Sequence, residues 1–115
     1  MITIATRAVE KSTFALVVTF YDELNALVIP NEIYWTLTNR QGDIINGLSH
    51  VMVGVPGSTI TILLKGADLA IQSDEASSPA SRLLTIEALY DSSLGLGLPF
   101  NEEAVFFIDN LTKIS

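Results

Sequence analysis

The chain has no cysteine. A disulfide framework, a thiolate metal site and a cysteine nucleophile are therefore excluded. It has one histidine, His50. A catalytic triad or a His-rich metal centre needs partners arranged around such a residue. Its neighbour Ser49 points to the opposite face if both lie on a strand, so His50 reads as a surface or edge histidine. Bases are few: 6 Lys and Arg stand against 13 Asp and Glu, for a net charge of −7. A domain of that sign repels phosphate backbones, which argues against nucleic acid as a partner. The six bases are scattered and make no patch in sequence. Long apolar runs are missing too, so no segment is expected to span a membrane. The amino terminus, MITIATRAVEKS, lacks the basic start and apolar stretch of a secretion signal.

What is present is alternation. In STFALVVTFYD, Phe14, Leu16, Val18 and Phe20 fall on one side of an extended chain. In EIYWTLTN, Ile33, Leu37 and the only tryptophan, Trp35, share a face. Ile60, Ile62 and Leu64 do so in STITILLK, and Leu84, Ile86, Ala88 and Tyr90 in RLLTIEALYD. β-Branched and aromatic residues are dense in these stretches, which favours strand over helix. In EEAVFFID both faces are apolar, and the pattern leaves open whether Phe106 or Phe107 is inward. Weaker strands are expected in ITIATRA and LSHVMVG.

Turn residues punctuate the strands: Asp22 to Asn25, Arg40 to Asp43, and Val55-Pro56-Gly57. SDEASSPAS, residues 73–81, reads as a polar loop, and Ala67 to Ala70 has room for one helical turn. About seven short strands in a chain of 115 residues predict an all-β fold: one immunoglobulin-like antiparallel β-sandwich domain spanning residues 1–115. A chain of this size buries ~65% of its unfolded surface, enough for a core without staples. A tryptophan on the third strong strand, plugging the core, fits that architecture.

No arrangement of residues announces a chemistry. Asp68, Asp74 and Glu75 share a loop, but their spacing matches no EF-hand, and they read as solvated loop charge. Gly95-Leu96-Gly97 lacks the third glycine, the lysine and the helix of a phosphate cradle. Asn110-Leu111-Thr112 fits a glycosylation pattern by chance. The sequence therefore predicts no enzyme, no cofactor and no metal site.

Two apolar features point to protein binding instead. SSLGLGLPF reads as a loop presenting Leu94, Leu96, Leu98 and Phe100 around two glycines, either as a lid on the core or as a docking loop. The outward faces of the last two strands carry Leu83, Leu89, Val105 and Phe107, and Tyr34 joins them from the tryptophan strand. If those strands are neighbours, they form an apolar patch of the kind found at subunit interfaces.

The stretches EKSTFALVVTFYDE, IPNEIYWTLTNRQGDIING, STITILLKGADLA and RLLTIEALYDSSLGLGLPFNEEAVFFI resemble small virion structural proteins of tailed bacteriophages, over residues 8–111. The Tyr-containing strand, Gly-rich connection and apolar strand at the end are similar to the last hairpin of fibronectin type III domains. The resemblance implies an immunoglobulin-like module, without catalytic residues, that decorates or joins parts of a particle at head, neck or tail. Its partners would be other virion proteins, in a homo-oligomer or symmetric multi-copy assembly, and its location the virion. An alternative reading is a carbohydrate-binding or host-adhesion module, for which Tyr21 and Tyr34 are the exposed aromatics expected.

Overall fold

Side chains along a strand alternate between faces, so the apolar member of each alternating pair decides which face is buried. The computed structural model describes residues 2–4, 6–71 and 80–109. Its strands are β1 (Ile2–Thr3), β2 (Ala8–Val9), β3 (Thr13–Thr19), β4 (Glu32–Thr38), β5 (Val51–Met52), β6 (Thr59–Lys65), β7 (Ala80–Ser92) and β8 (Gly95–Asp109). A single 3₁₀ turn, Gly66–Leu69, follows β6. Most of the polar loop expected at 73–81, and the Asn110 to Thr112 motif, lie outside the described residues.

The strands make two sheets. The larger runs β1-β8-β7-β4-β5, with β2 also on β8; the smaller is β3-β6. The fold is thus the expected all-β sandwich, with one departure. β1 and β2 run parallel to β8, which makes the larger sheet mixed rather than purely antiparallel.

The core lies where the predicted faces meet. Phe20, Ile33, Leu37, Leu64 and Phe106 are fully enclosed, and Ile62, Leu84 and Ile86 nearly so. Two aromatic pairs pin β3 and the residue after it to β8. Phe14 packs on Phe106 with ring centroids 5.1 Å apart. Phe20 meets Phe100 edge-on at 5.2 Å. Such pairs contribute about 0.5–1.5 kcal/mol beyond their burial. The ambiguity in EEAVFFID resolves through register: Phe106 lies opposite Arg82, on the inward face with Ala104 and Leu84. Phe107 points out and is half-buried, with the Arg7 guanidinium 5.7 Å from its ring centre.

Trp35 shares the inward face with Ile33 and Leu37 but is only half-buried, so it does not plug the core as expected. Its cross-strand neighbours are Ile86 on β7 and Val51 on β5. A two-stranded sheet is narrower than the sheet it covers, and the β4–β5 margin is left partly unroofed. Arg82, one of the six scattered bases, is fully buried. Its guanidinium donates to the Ser81 carbonyl at 2.8 Å and to the Ala70 carbonyl at 3.0 Å, which offsets the cost of taking the charge from water.

Candidate functional site

Strand direction gathers three connections at one end of the sandwich. β3 runs toward this end, β4 leaves it, β6 starts from it, and β7 turns into β8 there. In the β3–β4 connection, Asp22 Oδ1 accepts the N–H groups of Leu24 and Ala26, both at 2.9 Å. Asn25 takes a left-handed conformation, φ 62°, which closes the turn. The β7–β8 turn is held in the same way by side chains. Ser92 pairs with Gly95, and the register shifts between Tyr90 and Ser92. Gly97 occupies that bulge at φ 63°, where a side chain would be strained, and its N–H donates to Asp91 Oδ1 at 2.8 Å.

The two connections touch. Ser92 Oγ donates to Glu23 Oε1 at 2.7 Å. Asn31 N–H donates to the Leu89 carbonyl at 2.7 Å. The Gly97 amide, and then the Asn31 side chain, hold the Asp91 carboxyl below its ordinary value. Burial, followed by the nearby Glu23 and Asp22 carboxylates, pushes the Tyr90 phenol up. A hydrogen bond from the Glu23 backbone pulls the other way more weakly.

This end is rich in exposed apolar side chains. Leu94 and Leu96 are 69% and 82% exposed, Leu24, Leu27 and Ile29 are 67%, 63% and 64% exposed, and Val55 in the β5–β6 connection is 86% exposed. The sequence pointed to Leu94 and Leu96 but not to Leu24, Leu27, Ile29 or Val55. LNALVI was legible as an apolar run inside a turn region, and that signal was available.

Two residues of the expected docking loop are not on it. SSLGLGLPF is no free loop: it is the turn and first half of β8. Leu94, Leu96, Leu98 and Phe100 are spaced for a single face, but the bulge opposite Asp91 reverses the phase. Leu98 therefore lies beside Tyr90, and Phe100 beside Ala88, both on the inner face. Phe100 packs on Phe20 as part of the lid on the core.

The predicted sheet patch is also divided. β4, β7 and β8 are neighbours, and Tyr34, Leu83, Leu89, Val105 and Phe107 do share the outer face. Leu89 pairs with Pro99 and Glu32 in one row, and Leu83 with Val105 and Thr38 in another. Between them run Tyr34–Glu87–Asn101 and Thr36–Thr85–Glu103. Val105 is 4% exposed, screened among its neighbours, and offers nothing to a partner. The face is banded rather than continuously apolar.

A shallow groove of about 300 Å³ does open on this outer face, lined by Glu32, Tyr34, His50, Glu87, Leu89 and Asn101, among others. His50 is exposed and stacks on Tyr34, with ring centroids 3.9 Å apart and planes within 10°. Its Nδ1 lies 3.6 Å from Glu87 Oε2. Its backbone is left-handed, φ 51°, and its N–H donates to Thr36 Oγ1 at 2.9 Å. Of the residues weighed as a calcium loop, Asp68 accepts from Asn46 Nδ2 and from the Lys65 N–H, while Asp74 and Glu75 lie outside the described residues. Among the described residues no group of three or more His, Asp or Glu is placed to hold a metal ion. No helix there is long and apolar enough to cross a membrane. No protein family, curated protein or solved structure matches the chain.

Proposed function

We propose that the chain is a non-catalytic protein-binding module that docks through the loop end of its sandwich, and that it serves as an accessory or connector component of a virus particle. The observation that carries the binding reading is the pair Leu94 and Leu96, held out into solvent on a braced hairpin at the same end of the sandwich as the exposed Leu24, Leu27 and Ile29. Exposed apolar side chains in such a concentration favour a partner that covers them. The placement in a head, neck or tail rests on the sequence resemblance alone. In a symmetric multi-copy assembly, weak docking at each copy is multiplied by avidity.

The experiment is incorporation of the Leu94→Asp/Leu96→Asp variant into particles. Loss of incorporation with an unchanged circular dichroism spectrum is the expected result. Wild-type incorporation would remove the loop end from the reading.

The groove around Tyr34 favours a second reading, a carbohydrate-binding module, because it combines an aromatic stack with Glu32, Glu87 and Asn101. Glycan-array signal that disappears in Tyr34→Ala, and survives in the double leucine variant, would select it over the first.

A further inference from the structure

Between β3 and β8 the two sheets do not close. The pairs Phe14–Phe106 and Phe20–Phe100 hold the layers together on either side. Between them is a cavity of about 400 Å³, whose walls include Leu16 and Val18 of β3, Ile86 of β7, and Phe100, Glu102 and Ala104 of β8. It is an apolar slot with one carboxylate in its wall.

One side of the slot is an open strand edge. β3 pairs with β6 alone. Phe20 N–H donates toward β6, to the Ser58 carbonyl, and the Ser12 carbonyl at the other end accepts from Gly66. Alternation along an antiparallel strand then turns the backbone groups of Leu16 and Val18 toward β6, and those of Ala15 and Val17 to the open edge. Among the described residues no strand pairs with that edge. From Thr13 to Tyr21 the chain has no charge, proline or glycine. It carries none of the devices that normally blunt an edge.

The other side is blunted. Ile4 N–H donates to the Val105 carbonyl, so Val105, Glu103, Asn101 and Pro99 direct their backbone groups to the outer edge of β8. β1 covers that edge only at Ala104 and Val105. Ahead of it, Pro99 has no N–H, and the Glu103 N–H is taken by Glu102 Oε1 at 3.1 Å. An added strand finds free donors and acceptors on β3 and an obstructed edge on β8.

We infer that the slot receives an extended segment of a partner protein, which joins β3 as a third strand of the small sheet. Backbone hydrogen bonds to Ala15 and Val17 hold it, and alternate apolar side chains fill the slot. A lysine or arginine among the inward side chains meets Glu102. Charge favours a basic partner strand over a second copy: Glu102 stands in the slot wall, and each copy carries a net charge of −7. The site is distinct from the loop end, since Leu94 and Leu96 take no part in it.

The test uses synthetic ten-residue peptides that alternate valine and threonine, with lysine, alanine or glutamate at the central inward position. Each is titrated into the full chain and followed by amide hydrogen exchange. Saturable binding is expected in the order lysine, alanine, glutamate, with about fivefold between the extremes. Exchange slows at Ala15 and Val17. Glu102→Gln removes the charge preference, and Ala15→Pro, which deletes one outward N–H and no bond to β6, abolishes binding. Should Ala15→Pro fail to fold, the Glu102→Gln comparison decides alone. Leu94→Asp/Leu96→Asp leaves peptide binding unchanged, so failure here and failure of loop-end docking are told apart. Absent binding, protection on β8 instead of β3, or indifference to the central residue overturns the proposal. Self-association through Ala15 and Val17 without peptide also overturns it.

Discussion

Ser92 Oγ donates to Glu23 Oε1 across 2.7 Å, tying the tip of the β7–β8 hairpin to the β3–β4 connection, 69 residues away in sequence. The same hydroxyl accepts the Leu94 N–H at 3.1 Å. One serine thus braces the turn that presents Leu94 and fixes that turn against its neighbour. In Ser92→Ala both contacts go. The site is solvent-exposed, so the effect on global stability is small, about 1 kcal/mol or less. Local opening is affected more, because two of the hydrogen bonds at the tip are lost together. Amide exchange at Leu94 and Gly97 should quicken about fivefold, with β4 and β6 amides unchanged. Equal acceleration throughout would show that the contact supports the whole fold rather than the tip.

Leu94→Asp and Leu96→Asp, singly or together, should leave stability within about 0.5 kcal/mol of wild type, since neither side chain packs against the core. Leu98→Asp is the contrast. Leu98 lies opposite Tyr90 on the inner face, and a carboxylate there is forced toward the core. Urea melts of the three variants check this directly. A Leu96→Asp variant as unstable as Leu98→Asp would mean that the bulge does not reverse the phase of β8.

The Asp91 carboxyl sits below its ordinary value of 3.8 because the Gly97 amide, then Asn31, favours the charged form. The sign follows. A carboxyl with a depressed folded value adds stability above its unfolded value, and loses it as pH falls through the folded one. The Asp91–Gly97 hydrogen bond is therefore intact at neutral pH and weakens in acid, below 3.8. The Gly97 amide resonance reports it, with a titration midpoint below 3.8 in wild type and none in Asp91→Asn. A midpoint at or above the ordinary value would contradict the hydrogen bond.

Period-two alternation made β3, β4, β6 and β7 legible, including the inward faces of Phe14, Leu16, Ile33, Leu37, Ile62 and Ile86. It worked because one face of each strand is buried and the other is not. It failed where a second signal intervened. A bulge at Gly97 shifts the phase of β8, and nothing in LGLGLPF marks which side of the glycine the shift falls on. Arg82 occupies an inward position in the alternation of β7, but a charged residue does not announce burial; the carbonyls of Ser81 and Ala70 that receive it come together only in the folded chain. The loop end was half legible. Apolar residues within turns were visible, but their gathering at one end depends on strand order, which alternation does not encode.

Phe106 and Phe107 are adjacent, identical in chemistry and opposite in surroundings, which makes them a direct test of the register of β8. Phe106 is fully buried and packs on Phe14 at 5.1 Å. Replacing it with alanine removes its own burial, leaves a cavity and breaks the aromatic pair, a cost of about 3–5 kcal/mol. Phe107 is half-buried on the outer face under Arg7, whose Nε also donates to Asp109 Oδ1 at 2.7 Å. Its replacement loses partial burial and an exposed cation–π contact of about 0.5–1 kcal/mol. Denaturant midpoints should separate the two variants widely, with Phe106→Ala far the less stable. Equal losses, or a reversed order, would mean that β8 is displaced by one residue against β7. That displacement would turn Phe100 and Glu102 outward with Phe106, closing the case for the lid and the slot together.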